Sequence, residues 1–146
     1  MNDDTINDDR WHSGGISAMT LFVEDVTAAR DFYGRVFDAD PVFEEGDSVV
    51  FRTGSTLINL LRVPAADELV RPAVVGSTEA GVRAVYTIEV ADVDAVVAGL
   101  RERSIELLNG PIDRWWGPRT ASFGDPFGHV WEIAGPPHTE SEAGQG

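Results

Sequence analysis

Glu132 is the side chain of this 146-residue chain best placed to do chemistry. It lies in His129-Val130-Trp131-Glu132-Ile133, which alternates with the period-2 pattern of a half-buried strand. Trp131 and Ile133 fall on one face, and Val130, Glu132 and Ala134 on the other. A carboxylate aimed at a surface of small apolar groups can pair with a cationic ligand or act as a general base. The plainer alternative is a structural acid, partly solvated or hydrogen-bonded to an Arg such as Arg119. Arg119 begins a strand expected to point toward the same region, where it could fix a ligand carboxylate or phosphate, or simply partner a buried acid. Trp115 and Trp116, in DRWWGPR, could flank a cleft and stack on a planar or cationic ligand, worth about 0.5–2 kcal/mol. At least one of the two is expected to pack in the core or at a dimer interface.

Other chemistries are excluded by residue type. The chain has no cysteine, so disulfides, thiolate zinc sites and a Cys nucleophile are absent. All eleven basic residues are Arg, which removes Schiff-base catalysis and a P-loop lysine. Gly14-Gly15 precedes a strand rather than following one, so it fails the context of a dinucleotide fingerprint. No nucleophile-elbow pattern supports a Ser–His–Asp triad. A formal charge of −14 disfavours nucleic acid and is compatible with a cationic ligand. No apolar run approaches 18 residues and no export signal is visible, so neither a membrane span nor secretion is expected; cysteine usage fits a cytoplasmic protein.

The elements that must position these residues follow from periodicity. Residues 1–15 are polar and acidic and read as a flexible tail, as do residues 137–146. Ile16–Val23 alternates, with Met19, Leu21 and Val23 on one side and Ala18, Thr20 and Phe22 on the other. Asp25 is placed to N-cap a helix over Val26–Phe37, whose apolar positions recur every three or four residues. Pro41–Glu45, Ser48–Thr53 and Thr56–Val63 read as three short strands. Residues 64–83 mix Pro, Gly, small and charged residues and read as a linker with at most a short helical turn.

The pattern then repeats. AMTLFVEDVTAA (Ala18–Ala29) aligns without gaps on VYTIEVADVDAV (Val85–Val96), with Thr20/Thr87, Val23/Val90, Asp25/Asp92, Val26/Val93 and Ala28/Ala95 identical. A second helix over Val93–Glu102 and strands at Ile105–Leu108, Pro118–Phe123 and His129–Ile133 complete the second half. The fold class expected is α+β, one domain over residues 16–136 built of two βαβββ modules, 16–63 and 84–136. The sheet faces not covered by helices carry Ala18, Thr20 and Phe22 in one half and Val85, Thr87 and Glu89 in the other. Two such sheets curling toward each other would enclose a cleft, which is where function is expected.

The paired modules, with LFVEDVTAARDFYGRVF opening the first and FGDPFGHVWEI closing the second, resemble the vicinal oxygen chelate superfamily of glyoxalase I, bleomycin-resistance proteins and extradiol dioxygenases. The resemblance covers roughly Ile16–Pro136. It implies a curved mixed sheet around a ligand cleft, and a homodimer. In metal-dependent members four strand positions supply ligands, and these correspond to Ala18, Asn59, Val85 and Glu132. Only Glu132 keeps a ligand type, and one carboxylate with an Asn amide falls short of a catalytic divalent site. His12 and His138 lie in the tails and His129 at a turn. The expected function is therefore metal-independent binding of the bleomycin-resistance type, without a cofactor, sequestering a small aromatic or cationic compound as in antibiotic resistance. Thr20, Phe22, Asn59, Thr87, Trp115, Trp116, Arg119 and Glu132 are the candidate ligand-binding residues. The alternative is an enzyme of the superfamily (lyase, isomerase or dioxygenase) with Glu132 as base or in an atypical metal site.

Overall fold

A computed structural model describes residues 15–137. The expectations for the two tails, and for His12 and His138, fall almost wholly outside that range. The described residues form two four-stranded mixed sheets and three α-helices. In the first module β1 (Ala18–Val23) is followed by α1 (Val26–Phe37), β2 (Phe43–Glu45), β3 (Ser48–Thr53) and β4 (Thr56–Arg62), in the sheet order β1-β4-β3-β2. The second repeats this with β5 (Val85–Glu89), α3 (Val93–Glu102), β6 (Leu107–Asp113), β7 (Arg119–Gly124) and β8 (Val130–Gly135), in the order β5-β8-β7-β6. In each module the first strand runs parallel to the last and the other pairs are antiparallel.

The matched caps do what their chemistry allows. Asp25 accepts a hydrogen bond from the Ala28 backbone N–H at 3.0 Å, and Asp92 from that of Ala95 at 3.1 Å. Each thereby satisfies one orphan donor of its helix. The connection between modules is more ordered than its composition suggests. Val63–Val70 forms an eight-residue helix, α2, with Pro near its start and Ala66 fully buried. Pro has no N–H to lose in a first turn, and the small Ala66 lets the helix settle against β4 and β1. A short 3-10 turn, Thr78–Ala80, follows.

The sheets do not close around a cleft within one chain. Their apolar faces converge instead on a shared helical layer. Phe37 of α1 touches Phe51 of the first sheet and Trp131 of the second, with ring centroids 5.8 and 6.2 Å apart. Phe32 approaches Phe123, and Tyr33 approaches Trp131. One continuous core, from Leu21 and Ile58 through Tyr33 to Phe123 and Ile133, joins both modules. The ends of the helices are also tied together. Arg103, at the end of α3, donates to the Arg35 and Val36 carbonyls, and Arg35 donates back to the Arg103 and Ser104 carbonyls. These bonds satisfy carbonyls that a helix end leaves without partners. The faces carrying Thr20 and Glu132 therefore lie on the outer sides of this layered arrangement.

Candidate functional site

Register decides which side chains share the outer faces. On the first sheet Thr20 pairs directly with Asn59, and Asn59 with Val50. The Asn59 amide oxygen accepts a hydrogen bond from the Ser48 hydroxyl at 2.6 Å. On the second sheet Thr87 is opposite Glu132, and its hydroxyl donates to Glu132 Oε1 at 2.9 Å. Ser122 flanks Glu132 on the other side. Trp131 and Ile133 are buried, so Glu132 projects outward as its alternation predicts. The structure thus forms two outward polar pairs, Thr20–Asn59 and Thr87–Glu132, on separate sheets, the candidate half-sites.

Arg119 does not join either half-site. It pairs with Gly135 across β7–β8, in phase with Ile133 rather than Glu132, so it belongs to the helix-covered face. There its guanidinium grips Asp94 of α3 through two bonds of 3.0 Å and reaches Asp113 at 3.2 Å. This is the bidentate geometry in which Arg is strongest. The guanidinium on the Glu132 side is that of Arg114, in the DRWWGPR stretch ahead of β7. Its Nε donates to the Thr120 hydroxyl at 2.8 Å and another nitrogen donates to Asn109 at 3.1 Å. Thr120 is two residues from Ser122 on the same face of β7, and is only 1% exposed because Arg114 lies over it.

The same guanidinium stands 5.6 Å from the Trp116 ring centre. Trp115 meets Trp116 edge to face at 5.4 Å. Neither indole enters the core of this chain: Trp115 is 91% exposed and Trp116 is 54% exposed. Phe22 is half-buried and lines a cavity beside the connecting segment, two residue pairs along β1 from Thr20 and on the same face.

One cluster escaped sequence reasoning. The Asp125 side chain is fully buried and accepts four hydrogen bonds. Oδ1 takes the backbone N–H groups of Phe127 and His129 at 2.8 and 2.9 Å, and Oδ2 takes Tyr33 Oη at 2.5 Å and His129 Nδ1 at 2.7 Å. Burial alone would push this carboxyl up, but the His129 and Tyr33 hydrogen bonds more than offset it and hold it below the ordinary carboxylate range. Tyr33 is driven strongly upward by burial and by the Asp125 charge beside it, so its phenol stays protonated. Trp131 Nε1 donates to the same phenol oxygen at 3.0 Å. The only sequence signal was the turn itself, where Gly128 adopts φ +94°.

The fold matches known proteins. The sequence model of the Glyoxalase/Bleomycin resistance protein/Dioxygenase superfamily matches residues 15–133. The chain belongs to this superfamily. Among solved structures, a glyoxalase-related enzyme from Fulvimarina pelagi is similar at 24% identity and a TM-score of 0.71, covering 84% of this chain and 88% of the other. A glyoxalase/bleomycin resistance protein/dioxygenase from Nocardioides gives 21% identity and a TM-score of 0.75, over 92% and 88% of the two chains. A glyoxalase/bleomycin resistance protein from Catenulispora acidiphila gives 24% and 0.63, over 84% and 98%. At these identities the likeness speaks for the fold. No curated protein matches the sequence.

Superfamily membership raises the question of a metal. Of the four positions that the resemblance sets against metal ligands, Ala18 and Val85 have no donor atom, which leaves the Asn59 amide and the Glu132 carboxylate. No group of three His, Asp or Glu side chains converges among the described residues. A divalent centre with open coordination needs about three protein donors, so this donor set does not fit one. No helix among the described residues is long and apolar enough to cross a membrane.

Proposed function

We propose that this chain is a metal-independent small-molecule-binding protein of the superfamily, and that two copies complete its site. The observation that supports this reading is the pair of outward faces, where apolar Ala18 accompanies Thr20–Asn59 on one sheet and apolar Val85 accompanies the oriented Glu132 carboxylate on the other. Thr87 holds one oxygen of Glu132, which leaves the other free to meet a ligand. Val85 is 53% exposed beside it, an apolar residue at the edge of an uncovered sheet. In a homodimer the Thr20–Asn59 face of one chain would meet the Thr87–Glu132 face of its partner, enclosing a cleft neither chain forms alone. Trp115 and Trp116 would supply ring surface at its rim, Arg114 would hold Trp116 in place, and Glu132 would orient a positive group.

A small aromatic cation suits this combination, because stacking supplies affinity and the carboxylate supplies sign. Titration of ethidium, followed by tryptophan fluorescence, tests it. Saturable quenching is expected, weakened about tenfold in Glu132→Gln. Absence of quenching at high micromolar ethidium, or equal affinity of the variant, would count against a cationic ligand at Glu132.

A further inference from the structure

A cavity of about 260 Å³ lies between the two modules, bounded by the end of β1, the connecting segment, the start of β5 and the β7–β8 turn. It is separate from the Glu132 half-site, since Tyr86 on its wall occupies the opposite face of β5 from Thr87. Phe22, Tyr86 and Phe127 give it aromatic walls, and Glu24, Arg83 and His129 are its charged or titratable groups.

His129 is held in one orientation here, by its ring contact to Asp125. Asp125 has two oxygens and four donors, so its acceptor capacity is filled. A carboxylate so placed takes the proton-bearing nitrogen of the imidazole, so that in the neutral form of the ring the hydrogen is on Nδ1 and Nε2 is the acceptor. Nε2 makes no hydrogen bond among the described residues. Every buried side-chain nitrogen and oxygen among them has a partner, so Nε2 must be accessible. The carboxylate–imidazole pair therefore presents one oriented acceptor at the wall of an aromatic-lined cavity.

We propose that this inter-module cavity is a second ligand site, taking a small hydroxylated aromatic whose O–H donates to His129 Nε2. Its volume lies just below the usual range of ligand pockets, which restricts it to a one-ring compound. The aromatic walls take the ring, and the acceptor selects for the hydroxyl, since an analogue without it would leave Nε2 unpaired. This site requires neither a dimer nor Glu132.

Phenol and anisole, which differ by methylation of the hydroxyl, are the probes. In two-dimensional NMR of the full-length protein, phenol should shift the amides of Thr78, Tyr86 and Gly128 and move the His129 Nε2 resonance toward a hydrogen-bonded value. Anisole should bind about tenfold more weakly and leave Nε2 unmoved. Ala84→Trp, which fills the cavity from an exposed position that makes no hydrogen bond to Asp125, should abolish the phenol shifts, and Glu132→Gln should leave them intact. Equal binding of phenol and anisole, phenol shifts that survive Ala84→Trp, or no shift at millimolar phenol would each overturn the proposal. Failure of ethidium binding at Glu132 would not affect it.

Discussion

Tyr33 is the residue on which the two modules meet most closely in chemical terms. Its phenol donates to Asp125 and accepts from Trp131, so one oxygen links α1 to the β7–β8 turn and to β8. Removing it with Tyr33→Phe strands the buried Trp131 Nε1–H and takes one of four donors from Asp125. A loss of about 1–3 kcal/mol is expected in urea denaturation, because unsatisfied buried polar groups cost more than a bond contributes. A neutral substitution would show that water replaces the hydroxyl. Asp125 adds a pH dependence. Its folded pKa lies below the unfolded value, so its contribution is complete above about pH 4 and lost as pH falls through the folded pKa. Denaturation midpoints of the wild type should drop more steeply below about pH 4 than those of Asp125→Asn, already weakened at neutral pH. Parallel declines would assign the acid sensitivity to other carboxylates. None of this was legible in the sequence, where His129 and Asp125 read as turn residues and Tyr33 as one more apolar helix position. The partners are 92 residues apart and meet only through the packing of α1 on the second module.

At the scale of elements, the helices were legible because caps and periodicity are local. Val26–Phe37 and Val93–Glu102 form with the bounds their patterns give, each behind its capping Asp. Strand faces were legible only where a strand's own alternation sufficed. Glu132 was placed correctly beside buried Trp131, but Arg119 was placed on the wrong face, since its side depends on the register of β7 against β8. A one-residue difference in register exchanges the faces. β6 was under-read for a related reason. It runs to Asp113 through two register shifts about Asn109, which break the alternation a sequence pattern needs. Gly110 sits in that irregular stretch at φ +88°, and a Cβ there would come within 2.4 Å of the Thr120 carbonyl oxygen. Gly110→Ala should therefore cost roughly 2 kcal/mol or more, seen as a lowered Tm, because backbone rather than a flexible side chain blocks the added atom. A wild-type Tm would mean that β6 can move away from β7.

At the scale of the whole molecule, the repeat made the double βαβββ fold readable, and the superfamily match bears it out. The relation between the sheets was not readable. Nothing in either module's periodicity says whether its uncovered face meets the other module's or turns away from it. The shared layer around Phe37 and Tyr33 turns the two faces outward, so Thr20–Asn59 and Thr87–Glu132 do not meet within one chain. A metal-free cleft completed by a second copy is the central claim. Native mass spectrometry after incubation with Ni²⁺, Zn²⁺, Fe²⁺ and Mn²⁺ tests both parts of it in one spectrum. The predicted result is a dimer whose mass carries no stoichiometric metal. A monomer, or one tightly held ion per chain that disappears in Glu132→Gln, would contradict it.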